Sequence, residues 1–348
     1  MLKKAFGSVL ICVFIIVGGA CSLPGGDRHI AAGMEALTGQ DFDGALLAFR
    51  AAAEAGENPR QLHRGMGIAL MGLLRYDEAL ASFANALSYS SGLPDRTDFD
   101  INYYMATAYF LTGRPERAIE IYDAILALRD DESDAFYLRG AIKVSEGRIE
   151  DARSDFDMAI ALYDGGSDRL IDIYQILEGG GYRQLGEEYL RRATEGDAHN
   201  ELDNFERGRI AFHLGDFENA RMYLERARGT SYEAVLYLGK TYEVLGDFNY
   251  AVSVYSSYLD DGNESPHIFN QLGICRFRMH EYEAALTAFV GGMAIENNDI
   301  LRVLRFNEIV TNQFLGDFRR AAVLLDGYLR DYPNDHVAVR ENYFLRTR

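Results

Sequence analysis

The chain has 348 residues, 48% of them hydrophobic, and carries 53 acidic against 35 basic side chains, a formal net charge of −18. That apolar content can bury a sizeable core and excludes a globally disordered chain. The acidic excess argues against nucleic acid or an anionic lipid surface as a partner, because both are polyanions.

The first residues read as an address. Lys3 and Lys4 supply a positive start, and residues 9–17 (VLICVFIIV) form an apolar run. That run is shorter than the roughly 20 residues a membrane span needs. Gly18, Gly19 and Ala20 then precede Cys21. A cleaved secretory signal over residues 1–20 fits this order. Small residues directly before a cysteine resemble the lipobox of bacterial lipoproteins, with Gly18 standing where that motif usually has Leu. The resemblance implies that Cys21 is the lipid attachment site, carrying a diacylglycerol group on its thiol and left as the new N-terminus. It further implies a protein held outside the cytoplasmic membrane, on the outer membrane if the cell has one, since Ser22 is not the Asp that retains such proteins on the inner membrane. Residues 21–26, with Pro24, Gly25 and Gly26, make a short tether. Of the three cysteines, Cys12 and Cys21 lie in this segment and Cys275 stands alone on an apolar stretch. Cys275 reads as a small buried hydrophobe.

From residue 27 onward the chain repeats itself. Small residues recur at Ala45, Ala79, Ala118, Ala152, Gly186, Ala220, Ala251, Ala285 and Ala321, at gaps of 34, 39, 34, 34, 34, 31, 34 and 36 residues. Twelve residues before these anchors stand Gly33, Gly67, Ala106, Gly140, Gly208, Gly239 and Gly273. Four residues after them stand Phe49, Phe83, Tyr122, Phe156, Leu190, Leu224, Tyr255, Phe289 and Leu325. Glycine inside a helix costs about 1 kcal/mol relative to alanine, so its return at one phase implies close helix packing. Turn signals such as Gly215-Asp216-Phe217, Gly246-Asp247-Phe248 and Gly316-Asp317-Phe318 separate the two halves of each unit. Residues 238–258 (LGKTYEVLGDFNYAVSVYSSY) show the whole pattern: helix, short turn, helix.

This pattern is similar to the tetratricopeptide repeat, whose period is 34 residues. The resemblance covers residues 27–348. It implies an all-α fold, a right-handed superhelical solenoid of about nine helix pairs over residues 27–334, closed by a C-terminal capping helix over residues 335–348. Three places depart from the pattern. Residues 90–98 (SSGLPDRTD) insert an edge loop. The fifth unit has Tyr174 at the first small position and three glycines at its turn, which predicts a local opening or change of curvature at residues 178–183. The ninth has Ile309 at that position. The capping helix is expected to present a polar outer face, as a solenoid end requires.

No constellation for catalysis emerges. Acidic pairs such as Asp130-Asp131 and Asp260-Asp261 fall in loops or at helix ends, where adjacent carboxylates diverge. The seven histidines form no zinc-ligand spacing, and no phosphate loop or nucleophile elbow is present. No cofactor and no small-molecule substrate is expected. What remains is a surface. The exposed phase of the first helices carries Tyr103, Thr107, Phe110, Tyr137, Phe205, Arg209, Phe212, His213, Lys240, Asn270, Phe277 and Arg278. Tyr103, Phe110, Tyr137, Phe205, Arg209 and Phe212 are the candidate partner-binding residues, on the concave face that the resemblance implies. The Lys–Asn pair with which some tetratricopeptide proteins clamp a C-terminal carboxylate is not found. The reading is a non-catalytic protein–protein interaction scaffold serving assembly or maintenance of an envelope complex. A targeting subunit of a cell-wall enzyme and a solute-binding lipoprotein are the alternatives. The first wants converging carboxylates and the second two α/β lobes, and the chain offers neither.

Overall fold

A computed structural model describes residues 27–194, 203–229, 231–296, 298–333 and 335–346. Among these residues there are nineteen α-helices and no strand. They fall into two compact units, residues 1–192 and 193–348. The first unit stacks five pairs: Arg28–Thr38 with Phe42–Glu54, Pro59–Gly72 with Tyr76–Ser88, Arg96–Leu111 with Pro115–Leu128, Ser133–Ser145 with Ile149–Ala161, and Asp168–Gly179 with Arg183–Thr194. The second stacks four, Asn204–His213 with Phe217–Ala227, Tyr232–Val244 with Phe248–Asp260, Pro266–Arg278 with Tyr282–Met293, and Leu301–Phe314 with Phe318–Asp331, followed by His336–Leu345. The nine pairs are those expected from the anchors. Within each unit the helices touch their sequence neighbours, and first helices also touch first helices. Each stack is therefore held by short-range interfaces, as in repeat proteins generally.

One contact spaces the two helices of a pair. A Cβ placed on Gly33 would come within 2.6 Å of the Phe49 ring, one on Gly140 within 2.7 Å of Phe156, and one on Gly208 within 2.5 Å of Leu224. Gly67, Gly239 and Gly273 stand in the same relation to Phe83, Tyr255 and Phe289. Each glycine accepts the large side chain sixteen residues later on the returning helix. The anchors flank these contacts and are almost wholly buried.

The turns are equally uniform. Nine residues adopt positive φ five positions before the nine anchors: Gln40, Leu74, Gly113, Gly147, Gly181, Gly215, Gly246, His280 and Gly316. After each, the next N–H reaches five residues back, as in Asp41 to Ala36 at 2.9 Å and Tyr182 to Leu177 at 2.7 Å. This is the Schellman closure, which satisfies a carbonyl orphaned at the helix end. Six of the nine are glycine; Gln40, Leu74 and His280 adopt the left-handed backbone without one. In four turns the residue after the left-handed one is an Asp (Asp41, Asp216, Asp247 and Asp317), and its side chain caps the second helix.

The irregular places have physical explanations. The inserted loop is tied down by Arg60, which donates to Asp95 at 2.6 Å and to Asp98 at 2.7 Å, while Asp95 and Asp98 form a capping box on Arg96–Leu111. In the fifth pair Tyr174 is only 3% exposed, and its backbone and ring lie against Gly186. Large and small have exchanged helices. The turn there is closed by the same hydrogen bond as the others, from the Tyr182 N–H to the Leu177 carbonyl. Gly180 is needed because a Cβ would strike Val144 of the previous pair, and Gly181 because φ is +90°. At the chain's end Asp335 caps His336–Leu345 and accepts from Arg302 at 2.8 Å and the Tyr328 hydroxyl at 2.7 Å. Ala338 and Leu345 of that helix are buried, but Tyr343 is 71% exposed and Val337 is exposed too. The outer face of the cap is therefore not the polar one expected.

Leu74 pays for its left-handed backbone and is itself 64% exposed. Leu74→Gly should raise stability by about 0.5–1 kcal/mol, the steric relief outweighing the added unfolded-state entropy. Gly246 has φ +83° and nothing near its missing Cβ, so Gly246→Ala should cost about 1–2 kcal/mol from backbone strain alone. Gly239→Ala should cost about 1–3 kcal/mol by overpacking against Tyr255. Urea midpoints of the three variants check all three; a destabilised Leu74→Gly would refute the strain argument.

Candidate partner-binding surface

The six candidate residues divide between the units. Tyr103, Phe110 and Tyr137 belong to the first, and Phe205, Arg209 and Phe212 to the second.

In the first unit they are mostly core. Phe110 is 5% exposed and Tyr137 only 1%. The Arg169 guanidinium covers the Tyr137 ring at 4.3 Å, lies 4.6 Å from Tyr163, and is itself buried and ion-paired with Asp134. Tyr103 is partly buried and meets Tyr122 edge-on at 5.7 Å. Burial pushes the hydroxyls of Tyr103 and Tyr137 well above the usual tyrosine range. Phe110 and Tyr137 are thus corrected from surface to core, because the neighbouring pair closes over the phase on which they lie. The other polar groups on these helices are spoken for: Arg139 and Lys143 both engage the buried Asp155, at 2.6 and 2.7 Å.

In the second unit the candidates gather. Phe205, Arg209 and Phe212 on Asn204–His213 face Tyr237 and Lys240 on Tyr232–Val244. Phe205 and Phe212 meet the Tyr237 ring edge-on at 6.3 and 5.4 Å. The Arg209 guanidinium lies over Phe205 at 5.1 Å and over Tyr237 at 5.7 Å. The Lys240 ammonium is 5.9 Å from the same ring. The Tyr237 hydroxyl and His213 Nε2 are 3.3 Å apart. All five are partly exposed. Burial holds the Lys240 ammonium below the usual lysine range, against a weaker opposing pull from Glu243. Tyr237, the hub, was missed in the sequence. It stands fourteen residues before its anchor Ala251, whereas Tyr103, Tyr137 and Phe205 stand fifteen before theirs.

Further along the same stack the first helices change character. Ile274 and Phe277 on Pro266–Arg278, Val310 on Leu301–Phe314, and Phe289 line a cleft of about 250 Å³, with Arg278 and Asn307 also at its wall. Asn307 donates to Asn270 at 2.8 Å. In the first unit the inserted loop borders a cleft of about 240 Å³ formed by Leu87, Phe99, Ile121, Ile125 and Leu128.

Among the described residues no group of three or more His, Cys, Asp or Glu is placed to hold a metal ion. Cys275 is buried, and burial raises its thiol far above the usual range. Cys21 lies outside the described residues.

Tetratricopeptide repeat family models match residues 70–142 and 204–227. The chain carries tetratricopeptide repeats. The first stretch runs from the end of Pro59–Gly72 through the third pair into Ser133–Ser145, and the second covers Asn204–His213 and Phe217–Ala227. A curated relative, the BBSome complex member BBS4 of Bos taurus, is 24% identical over 191 residues, covering 53% of this chain. The chain matches 36% of that relative's length. Among solved structures, a tetratricopeptide repeat protein from Parabacteroides merdae is 16% identical with a TM-score of 0.41, covering 82% of this chain and 97% of that one. MamA is 23% identical with a TM-score of 0.39, covering 48% and 88%. YrrB, described as having an unusual peptide-binding site, is 19% identical with a TM-score of 0.38, covering 55% and 92%.

Core and surface are separable by truncation. Tyr137→Ala should cost about 3 kcal/mol or more, as for other large buried aromatics. Phe205→Ala should cost about 1 kcal/mol, the value of a partly exposed aromatic contact. Denaturant midpoints of the two variants check this, and equal losses would place Phe205 in the core as well.

Proposed function

We propose that this chain is a non-catalytic scaffold that binds another protein through the first-helix face of its second unit. The observation that carries it is the Phe205–Arg209–Phe212–Tyr237–Lys240 cluster within repeats of a protein-binding kind. Aromatic rings and arginine are the side chains that concentrate binding energy in protein interfaces. Stacked repeats offer such side chains on one extended surface. The Phe205 and Phe212 rings are braced by Tyr237, so little rotamer entropy is lost on binding.

The second half of the proposal concerns place. Lys3 and Lys4, the apolar residues 9–17, and Gly18-Gly19-Ala20 before Cys21 support processing as a lipoprotein. Two acyl chains of a diacylglycerol on Cys21 would suffice for stable anchoring where one chain is marginal. Among the described residues no helix is long and apolar enough to cross a membrane. A solenoid held this way outside the cytoplasmic membrane serves assembly or maintenance of an envelope complex.

The anchoring is tested by expressing the full chain in bacteria with an alkyne-bearing fatty acid. The wild type should take up label and sediment with membranes. Cys21→Ser should lose the label and accumulate as unprocessed or soluble protein. Identical label and fractionation of the two would sink the lipid anchor. For the surface, a benzophenone amino acid at position 205 should capture a protein in cells that the same group at the exposed Leu47 does not. Equal capture at both positions, or none, would move the binding face elsewhere.

A further inference from the structure

The first helices of the second unit differ in charge from the rest of the chain. Asn204–His213, Tyr232–Val244, Pro266–Arg278 and Leu301–Phe314 together carry seven Lys and Arg against four Glu, and no Asp. This occurs in a chain of net charge −18. Four of the seven are paired within the fold, Arg276 with Glu281, Arg278 with Glu243, Arg302 with Asp335 and Arg305 with Asp331, which sets Lys240 apart. Among the described residues it makes no ion pair. The carboxylate nearest along its helix, Glu243, is turned to other groups: it accepts from the Tyr255 hydroxyl at 2.9 Å and pairs with Arg278 at 3.4 Å. A partly desolvated ammonium resting on the edge of an aromatic cluster gains from a carboxylate brought by a partner, since both charges then sit in a medium of lowered dielectric. Next along the stack the cleft walled by Ile274, Phe277, Phe289 and Val310 offers an apolar receptacle of about 250 Å³. That volume takes one branched aliphatic side chain.

Resting on the partner surface proposed above, we propose that this face binds an extended acidic segment of a partner protein, with an Asp or Glu side chain at Lys240 and a Leu, Ile or Val in the Ile274–Val310 cleft. Packed helices lie about 8–10 Å apart. The step from Lys240 to the cleft between the next two first helices is therefore about 12–15 Å. At about 3.3 Å per extended residue, the acidic and aliphatic residues stand about four or five apart. The carboxylate is a side chain, so recognition does not require a chain terminus. The acidic remainder of the solenoid does not oppose it, because screening confines repulsion to about 8–10 Å.

The test uses a synthetic library of N-acetylated, C-amidated decapeptides selected on the full-length chain. Capping removes terminal charges, so any carboxylate selected is a side chain. Enrichment of Asp or Glu four or five residues from Leu, Ile or Val is expected. The selected peptides should bind about tenfold more weakly to Lys240→Met, which keeps the aliphatic stem and loses the charge, a change of about 1.4 kcal/mol. Val310→Ala should weaken the same peptides severalfold, with circular dichroism and melting temperature unchanged in both variants. Added salt should weaken binding to the wild type more than to Lys240→Met. Enrichment of basic or purely aromatic sequences, no enrichment, or acidic peptides indifferent to Lys240→Met would each overturn the proposal. The surface itself is judged separately by capture from position 205: a captured partner whose crosslinked segment is basic keeps the surface and removes the acidic ligand, whereas no capture removes the surface.

Discussion

The contact between a glycine on a first helix and the ring sixteen residues later is what the rest of the structure depends on. Without a Cβ, Gly33 lets the Phe49 ring lie against the helix backbone. The same ring also leaves no room for a Cβ on Gly65, in the first helix of the following pair. One side chain thus sets both the separation within a pair and the separation between pairs. Close-packed interiors tolerate extra methylenes poorly, so a distance set this way is stiff. Repeating the contact repeats the distance, and a stack of near-identical pairs follows.

The pairs that lack the glycine show what is conserved physically. In the ninth, Ile309 takes the glycine's position and Leu325 the ring's, and both are buried. In the fifth, Tyr174 faces Gly186, and Leu190 takes the ring's position and is buried. A bulky residue on one helix is matched by a smaller one opposite, so the filled volume is nearly kept while its distribution changes. Volume-conserving exchanges are the ones that cores tolerate best.

These relations explain what could be read without coordinates. Helix pairs, their order and the small-residue anchors were legible, because glycine and alanine at a fixed phase have few other uses. The inserted loop and the terminal helix were legible for similar reasons of spacing and proline placement. The surface was only half legible. Tyr137 and Phe205 stand at the same phase, fifteen residues before their anchors. Periodicity assigns them one helix face, but it does not say what lies over that face. In the first unit Arg169 reaches back to cover Tyr137. Its position 32 residues further on, beside Tyr163, gives no periodic sign of that role. Tyr237 escaped because it stands fourteen residues before its anchor, one position off the phase on which Tyr103, Tyr137 and Phe205 lie. The outer face of the terminal helix was misjudged for a related reason: Ala338 and Leu345 take the buried positions, leaving Val337 and Tyr343 outward.

In both units most cations of the first helices are paired within the fold, but the two differ in how many carboxylates those helices carry. The five first helices of the first unit carry seven Lys and Arg and seven Asp and Glu. Their cations are largely consumed in the fold, with Arg60 on Asp95 and Asp98, Arg64 on Asp100, Arg139 and Lys143 on Asp155, and Arg169 on Asp134. Buried ion pairs of this kind gain little net stability once desolvation is counted. They fix which pair sits against which, and they leave little charge for a partner. The four first helices of the second unit carry as many cations with fewer carboxylates of their own; Arg276, Arg278, Arg302 and Arg305 pair with Glu281, Glu243, Asp335 and Asp331, while Lys240 rests on the face of Tyr237. An aromatic face supports a cation without neutralising it. Because helix spacing is held by glycine–ring contacts that involve no charge, exposed first-helix residues can change sign from unit to unit without disturbing the stack. Partner selection and fold stability thus rest on separate sets of side chains, which is the property a repeat scaffold needs in order to specialise one stretch for binding.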